Sequence, residues 1–418
     1  AAEDAGATPE MPGTLYVGHD CRQDAHAYAA LAAEVAAEHG FRVILTEDYC
    51  PTPTLCWSVA HDADAVGGLM LTSSHNPAEY LGVKLRMADG GASPKDFTDI
   101  VEGAIADTEA NGFADPAIAE LAKLEIPAIQ EALAAGTPLT ALVSEQPAET
   151  KPVEVRDLMP PYLDALCEQV DADVIRKAGL RVVLDPLYGA GRHHLAGILR
   201  DMGVEVDELH ETEDPTFAGL HPEPIQPWVD EGLARVKELG YDALFINDGD
   251  ADRISAGDSQ GSFVNPHRII TLVTENLAGR GLPEKRIVST VTASQQLANA
   301  CDALGLEYVT TPVGFKWIYG EMEKGGVLVG GEESGGIGLP GHVKERDGLL
   351  MALLLIEMMA KEGKDLGQLV EAANQKYGQF AFSRRGLRLD PEQEVRADAV
   401  LAGDKQPGDV CGRSVANT

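Results

Sequence analysis

The chain predicts an α/β protein: three similar units in tandem, each a mixed or parallel sheet with helices, then the start of a fourth, α+β unit. Three observations lead there. A length of 418 residues exceeds what one core usually serves. Short apolar runs alternate with stretches of helical period, the pattern of parallel sheets. Three of those runs end in polar loops, where open α/β sheets place their ligands.

The elements follow in order. Residues 15–18 read as a strand, 25–39 as an Ala-rich helix and 41–45 as a second strand. A helix near 54–62 leads to a buried strand at 67–71, which ends at Thr72-Ser-Ser-His-Asn-Pro77. Residues 97–140 are Ala/Glu-rich and helical, and the Pro-containing stretch 144–152 reads as a linker. The second unit has helix 159–170, strand 180–184, a turn at 188–191, a helix to about 201, strand 203–208 and helix 229–239. Strand 242–246 then runs into Asp248-Gly-Asp-Ala-Asp-Arg253. The third has helix 267–279, strand 287–291, helix 293–304 and strand 307–310. Strand 327–329 enters Gly330-Gly-Glu-Glu-Ser-Gly-Gly336. From Tyr377 the texture changes, and the alternation over 380–389 reads as the first strand of another module. The expected domains are 1–150, 151–263, 264–378 and an incomplete 379–418. The three units look like a structural repeat with little shared identity.

Composition narrows the function. Acids outnumber bases 67 to 33, for a formal charge of −34. That argues against nucleic-acid binding and adhesion to anionic membranes. No apolar run approaches a membrane span, and the first residues lack the basic and apolar regions of a signal peptide. Six cysteines without a Cys-x-x-Cys pair suit reduced thiols in a cytoplasmic protein.

Three loops carry the chemistry. In the first, Pro77 fixes the exit of the turn and Asn76 tolerates unusual backbone angles, so Ser74, beside His75, can be held exposed as a nucleophile. Lys84 follows as a phosphate-neutralising cation or an acid/base group. In the second, Asp248, Asp250 and Asp252 alternate on an extended loop and offer three hard oxygens to Mg²⁺. An EF-hand would need Gly and Glu where Arg253 and Ser259 stand. An acidic turn is the bland alternative. Arg253 behind the carboxylates fits an anion beside the cation. In the third, Glu332 and Ser334 suit sugar hydroxyls, and the flanking glycines allow close approach. Residues 336–341 also match a dinucleotide fingerprint, but no helix start of the required kind follows. Lys316 and Arg346 are candidates for the local positive charge that an anionic substrate would need here.

These loops, in this order, resemble the α-D-phosphohexomutase superfamily, the phosphoglucomutases and phosphomannomutases. The resemblance runs from Gly18-His-Asp-Cys-Arg22 through Pro51-Thr-Pro53 and the three loops to Arg346-Asp-Gly348, roughly residues 14–390. It implies that Ser74 carries the phosphate and, with Asp248, Asp250 and Asp252, holds Mg²⁺. It implies that His75, Lys84 and Arg253 take part in phosphoryl transfer, with Lys84 as the base. Glu332, Ser334, Lys316 and Arg346 would then bind a phosphosugar. Glucose 1,6-bisphosphate would be the activator, and the enzyme a monomer or dimer. Gly336, where mannose-type relatives have His, favours glucose; mannose and glucosamine phosphates are alternatives. Ser73 stands where Ala is usual, and Leu81-Gly-Val-Lys84 where Asn-Gly-x-Lys is frequent. The Arg-Gly signature before the first strand and the Arg-x-Ser-Gly-Thr loop of the fourth domain are not found. The expectation is a fragment that binds glucose 1-phosphate weakly. A serine-dependent phosphomonoesterase and a non-catalytic sugar-phosphate-binding remnant are the rival readings.

Overall fold

The three predicted units are three sheets built on one plan. The structure, a computed structural model, describes residues 13–143, 153–382, 390–401, 409–410 and 413–414. In the first sheet the order is Val83–Arg86, Ala65–Leu71, Thr14–His19, Arg42–Thr46, Glu154–Arg156. In the second it is Phe263–Val264, Ile254–Asp258, Ala243–Asn247, Arg181–Asp185, Glu205–Glu208. In the third it is Glu307–Thr311, Arg286–Thr290, Val327–Gly331, Ile337–Gly338.

Each sheet has a parallel core, and in each, one parallel strand, Ala65–Leu71, Ala243–Asn247 or Val327–Gly331, is flanked by an antiparallel strand that follows it in sequence. The chemistry-bearing loop is the connection between those two strands every time. These antiparallel partners were not legible. Val83–Arg86 carries two cations in four residues, Ile254–Asp258 includes Ser, Gly and Asp, and Ile337–Gly338 has only two residues.

The helices expected from the sequence are joined by others. Residues 97–140 are helical as expected, in four pieces: Lys95–Asn111, Pro116–Leu121, Ile126–Ala135 and Thr140–Val143. Gly112, at φ 79°, ends the first, and Asp115 caps the second by accepting from Ala117 N–H at 2.8 Å. Helices Ala172–Ala178, Phe315–Met322, Gly348–Glu362 and Leu366–Tyr377 were not read from the sequence. Gly348–Glu362 escaped because its apolar residues show no helical period. Residues 348–359 are all buried, and the helix packs on Ala172–Ala178, Pro266–Ala278 and strands of the second sheet. It welds the second and third sheets around one core that includes Phe245, Ile270, Leu328 and Leu354.

The chain divides after Phe380 into two units. The second holds helix Pro391–Leu401 and an antiparallel pair, Asp409–Val410 with Arg413–Ser414. The predicted linker 144–152 and most of the strand predicted at 380–389 lie outside the described residues; Phe380, Ala381 and Phe382 form no strand.

Candidate active site

The serine loop begins where strand Ala65–Leu71 stops. Thr72 and Gly82 exchange backbone hydrogen bonds, at 3.0 and 3.2 Å, and pinch the loop shut. Ser74 has a left-handed backbone, φ 51°, and its N–H donates to Thr72 Oγ1 at 2.9 Å. Its carbonyl is taken by Arg22. That buried guanidinium donates to the carbonyls of Ser74, Asn76, Pro77 and Tyr80 at 2.6–3.0 Å and pairs with Asp20 at 3.0 Å. Asp20 also accepts from Thr72 Oγ1 at 2.6 Å. Burial raises its pKa to about 6 against the pull of Arg22. Arg22 therefore sets the shape of the loop, although the sequence showed it only inside a matched motif.

The result is that Ser74 Oγ donates to Asp248 Oδ2 at 2.9 Å. Ser73 Oγ instead accepts from Asn76 at 3.2 Å. The geometry brings Ser74, not Ser73, to the carboxylates.

Asp248, Asp250 and Asp252 are fully buried at the end of strand Ala243–Asn247, and each offers an oxygen within 4.8 Å of the others. Ala251, at φ 57°, turns the loop. Gly249 lies against the serine loop: a Cβ there would sit 2.6 Å from Ser74 O. Burial and the two neighbouring carboxylates raise the Asp248 pKa to about 8. Asp250 and Asp252 are lowered, because cations outweigh their burial. Lys84 Nζ lies 2.6 Å from Asp250 and 2.8 Å from Asp252, and Arg346 Nη2 lies 2.5 Å from Asp252. Thr52 donates to Asp250 through its hydroxyl and, at 2.9 Å, through its backbone N–H. Asp250 Oδ1 and Asp252 Oδ1 are buried with no hydrogen-bond donor. Two orphan acceptors in a hard-oxygen cluster fit a divalent cation.

Lys84 sits on the antiparallel strand, opposite Met70. Its carboxylate partners raise its pKa. In these pairings Lys84 is a cation fit to neutralise phosphate, and the general-base role expected from sequence requires its release from both carboxylates. His75 is the reverse. Burial and then Arg253 lower its pKa to about 3, so it is a neutral imidazole, and its Nδ1 has no hydrogen-bond partner.

Arg253 bridges the second and third loops. Its N–H donates to Asp248 Oδ1 at 3.0 Å, its Nε lies 3.9 Å from Asp248 and Asp252, and its backbone pairs with Gly336. Gly335, at φ +97°, has no room for a Cβ, which would meet Ile254 O at 2.5 Å. Glu332 is buried, 3.5 Å from Arg346 Nη1, and burial raises its pKa. Ser334 Oγ is buried without a partner. Glu333 is turned away and accepts from Thr290 at 2.9 Å. A cavity of about 820 Å³ beside this cluster is lined by Lys84, Arg86, Lys316 and Arg346 among others. Lys316, on helix Phe315–Met322, is exposed and stacks on Trp317 at 5.5 Å. Arg86 is buried against Glu345, a pair that the sequence did not suggest. The dinucleotide match at 336–341 ends in a short strand and turn; the next helix starts at Gly348.

Family models for phosphoglucomutase/phosphomannomutase α/β/α domains I, II and III match residues 4–112, 160–261 and 265–377. A phosphoglucomutase/phosphomannomutase of Thermococcus kodakarensis is 30% identical over 358 residues, 85% of this chain and 70% of the relative. The chain belongs to the phosphoglucomutase/phosphomannomutase family. Another relative is a phosphoglucosamine mutase of Frankia alni, 30% identical over 97% of this chain and 81% of its own length. Among solved structures, a Thermus thermophilus protein described as a phosphomannomutase has a TM-score of 0.73 at 33% identity. That match covers 90% of this chain and 77% of the other. The phosphohexomutase relatives thus share the three sheets whose loops meet here. Among the described residues no helix is long and apolar enough to cross a membrane.

Proposed function

We propose that the chain interconverts hexose 1-phosphates and 6-phosphates, glucose favoured, through phosphorylated Ser74 and a bisphosphorylated sugar. The observation that carries this reading is the 2.9 Å contact of Ser74 Oγ with Asp248, in a cluster ringed by Lys84, Arg253 and Arg346. Mg²⁺, held by Asp248, Asp250, Asp252 and an oxygen on Ser74, would supply positive charge at the transferring group. Phosphorus leaves Ser74 Oγ and bonds to a sugar hydroxyl. That hydroxyl yields its proton to a base, the role we propose for Lys84 once it leaves its carboxylates. The freed serine oxygen regains a proton, which Lys84 can provide. The sugar turns over, its other phosphate returns to Ser74, and Glu332, Ser334, Lys316 and Arg346 hold it in either orientation. Glucose 1,6-bisphosphate would keep the serine charged.

Gly336 in the sugar loop supports glucose. The glucosamine mutases among the relatives support glucosamine phosphate as the second reading. Phosphorus NMR on the protein with Mg²⁺ and trace bisphosphate decides, run separately with glucose, mannose and glucosamine 1-phosphates. Isomerisation fastest for glucose is the expected result. Steady release of inorganic phosphate would instead mean a phosphomonoesterase.

A further inference from the structure

A second cluster of ligating side chains lies outside this site, at the far edge of the second sheet. His193, Glu208 and Glu211 each place one ligand atom within 4.8 Å of the others. Glu208 ends the edge strand Glu205–Glu208, two strands from Ala243–Asn247, so the cluster stands about 10 Å across the sheet from the aspartate loop.

The decisive member is Glu208. Its side chain is only 1% exposed, and Oε1 accepts from His193 N–H at 2.6 Å. Oε2 is buried and has no hydrogen-bond donor. It faces His193 Nδ1 at 3.7 Å and Arg200 Nη1 at 3.8 Å, both too far to bond it. Arg200 is directed instead to Val206 O, at 3.4 Å. Glu211 Oε2 closes the triangle, 4.0 Å from the same imidazole nitrogen. A carboxylate withdrawn from water is costly unless a cation compensates it.

We propose that His193, Glu208 and Glu211 form a second divalent-cation site, suited to zinc-class ions rather than Mg²⁺. One imidazole and two carboxylates are a borderline ligand set that leaves a fourth position for water. The two carboxylates balance the ion's charge. The ion would tie the start of helix His194–Asp201 to the sheet edge, since His193 directly precedes that helix. The site depends on no step of the mutase reading.

Cobalt titration followed by visible absorption tests it, with Mg²⁺ in excess to fill the all-oxygen aspartate cluster. A four- or five-coordinate Co²⁺ on nitrogen and oxygen absorbs far more strongly than a six-coordinate one on oxygen. The expected result is one saturable strong band per chain, displaced by Zn²⁺. His193→Asn, which tolerates the left-handed backbone at φ 65°, and Glu211→Gln should each weaken it at least tenfold. Both side chains are about half exposed, so the variants should fold, and circular dichroism would confirm that. No strong band at Co²⁺ on the order of a millimolar, or an undiminished band in either folded variant, would overturn the site.

Discussion

At the residue scale, the site rests on a few contacts with separable roles. Ser74→Ala removes the oxygen 2.9 Å from Asp248. Turnover should fall by about 10⁴-fold or more, as for loss of a covalent nucleophile. Intact-mass analysis after exposure to glucose 1,6-bisphosphate should show no added phosphate; a variant labelled as well as the parent would contradict the assignment. Arg22→Ala acts differently. It strips four loop carbonyls of their donor and leaves Asp20 buried and unpaired. The expected loss is roughly 3–5 kcal/mol in urea unfolding, the range for breaking a buried pair. Activity should fall with it, and Arg22→Lys should not restore it, because an ammonium cannot span four carbonyls.

At the element scale, legibility depended on length and period. Parallel strands such as Arg181–Asp185 and Ala243–Asn247, buried on both faces, announce themselves as apolar runs. Their antiparallel neighbours do not, yet one of them aims Lys84. Ser74 and the three aspartates were readable because their chemistry lies in the residue types and spacing. Arg22 and Thr52 were not, because a donor to backbone carbonyls or to a distant carboxylate has no local signature. The partners of Lys84 were hidden for a related reason: they are two carboxylates far along the chain. The loops themselves tolerate little. In Gly335→Ala the new Cβ would meet Ile254 O at 2.5 Å, pushing Glu332 and Ser334 from their places. The prediction is a KM for sugar phosphate raised about tenfold or more, with fold stability changed by only about 1–3 kcal/mol, the cost of a strained backbone residue. Parallel steady-state kinetics and thermal melts would show it.

At the scale of the whole molecule, charge and protons set stability. Burial lowers the pKa values of His19 and His194 from 6.5 to about 4, so the unfolded chain binds the extra protons between those values. Stability is then full above pH 6.5 and falls as pH drops toward 4, by about 2 kcal/mol per histidine from pH 7 to 5. Asp20, raised from 3.8 to about 6, works the other way: it favours the fold at low pH, by about 1 kcal/mol at pH 5. His75, lowered to about 3, adds a loss of about 2 kcal/mol, and Asp248, raised to about 8, offsets about 3, so the net loss over these five groups should be roughly 2 kcal/mol. Urea midpoints at pH 7 and 5 would check it; a higher midpoint at pH 5 would contradict the sign. The formal charge of −34 adds self-repulsion. Raising salt from about 0.01 to 0.15 M shortens the screening length from about 30 to 8 Å. The melting temperature should climb over that range.

Lys84 and Arg346 already occupy the aspartate cluster as counter-ions of its own making. A metal arriving there would not meet three naked charges: the protein cations hold Asp250 and Asp252 through Oδ2, and the two Oδ1 atoms are left for the ion. Ion uptake would therefore be insertion into a preformed cage, without the swelling and collapse expected of carboxylates left to repel one another. Its calorimetric signature should be a small heat-capacity change, since little apolar surface moves. Lys84 and Arg346 also line the neighbouring cavity, so the same two cations face any anion bound there.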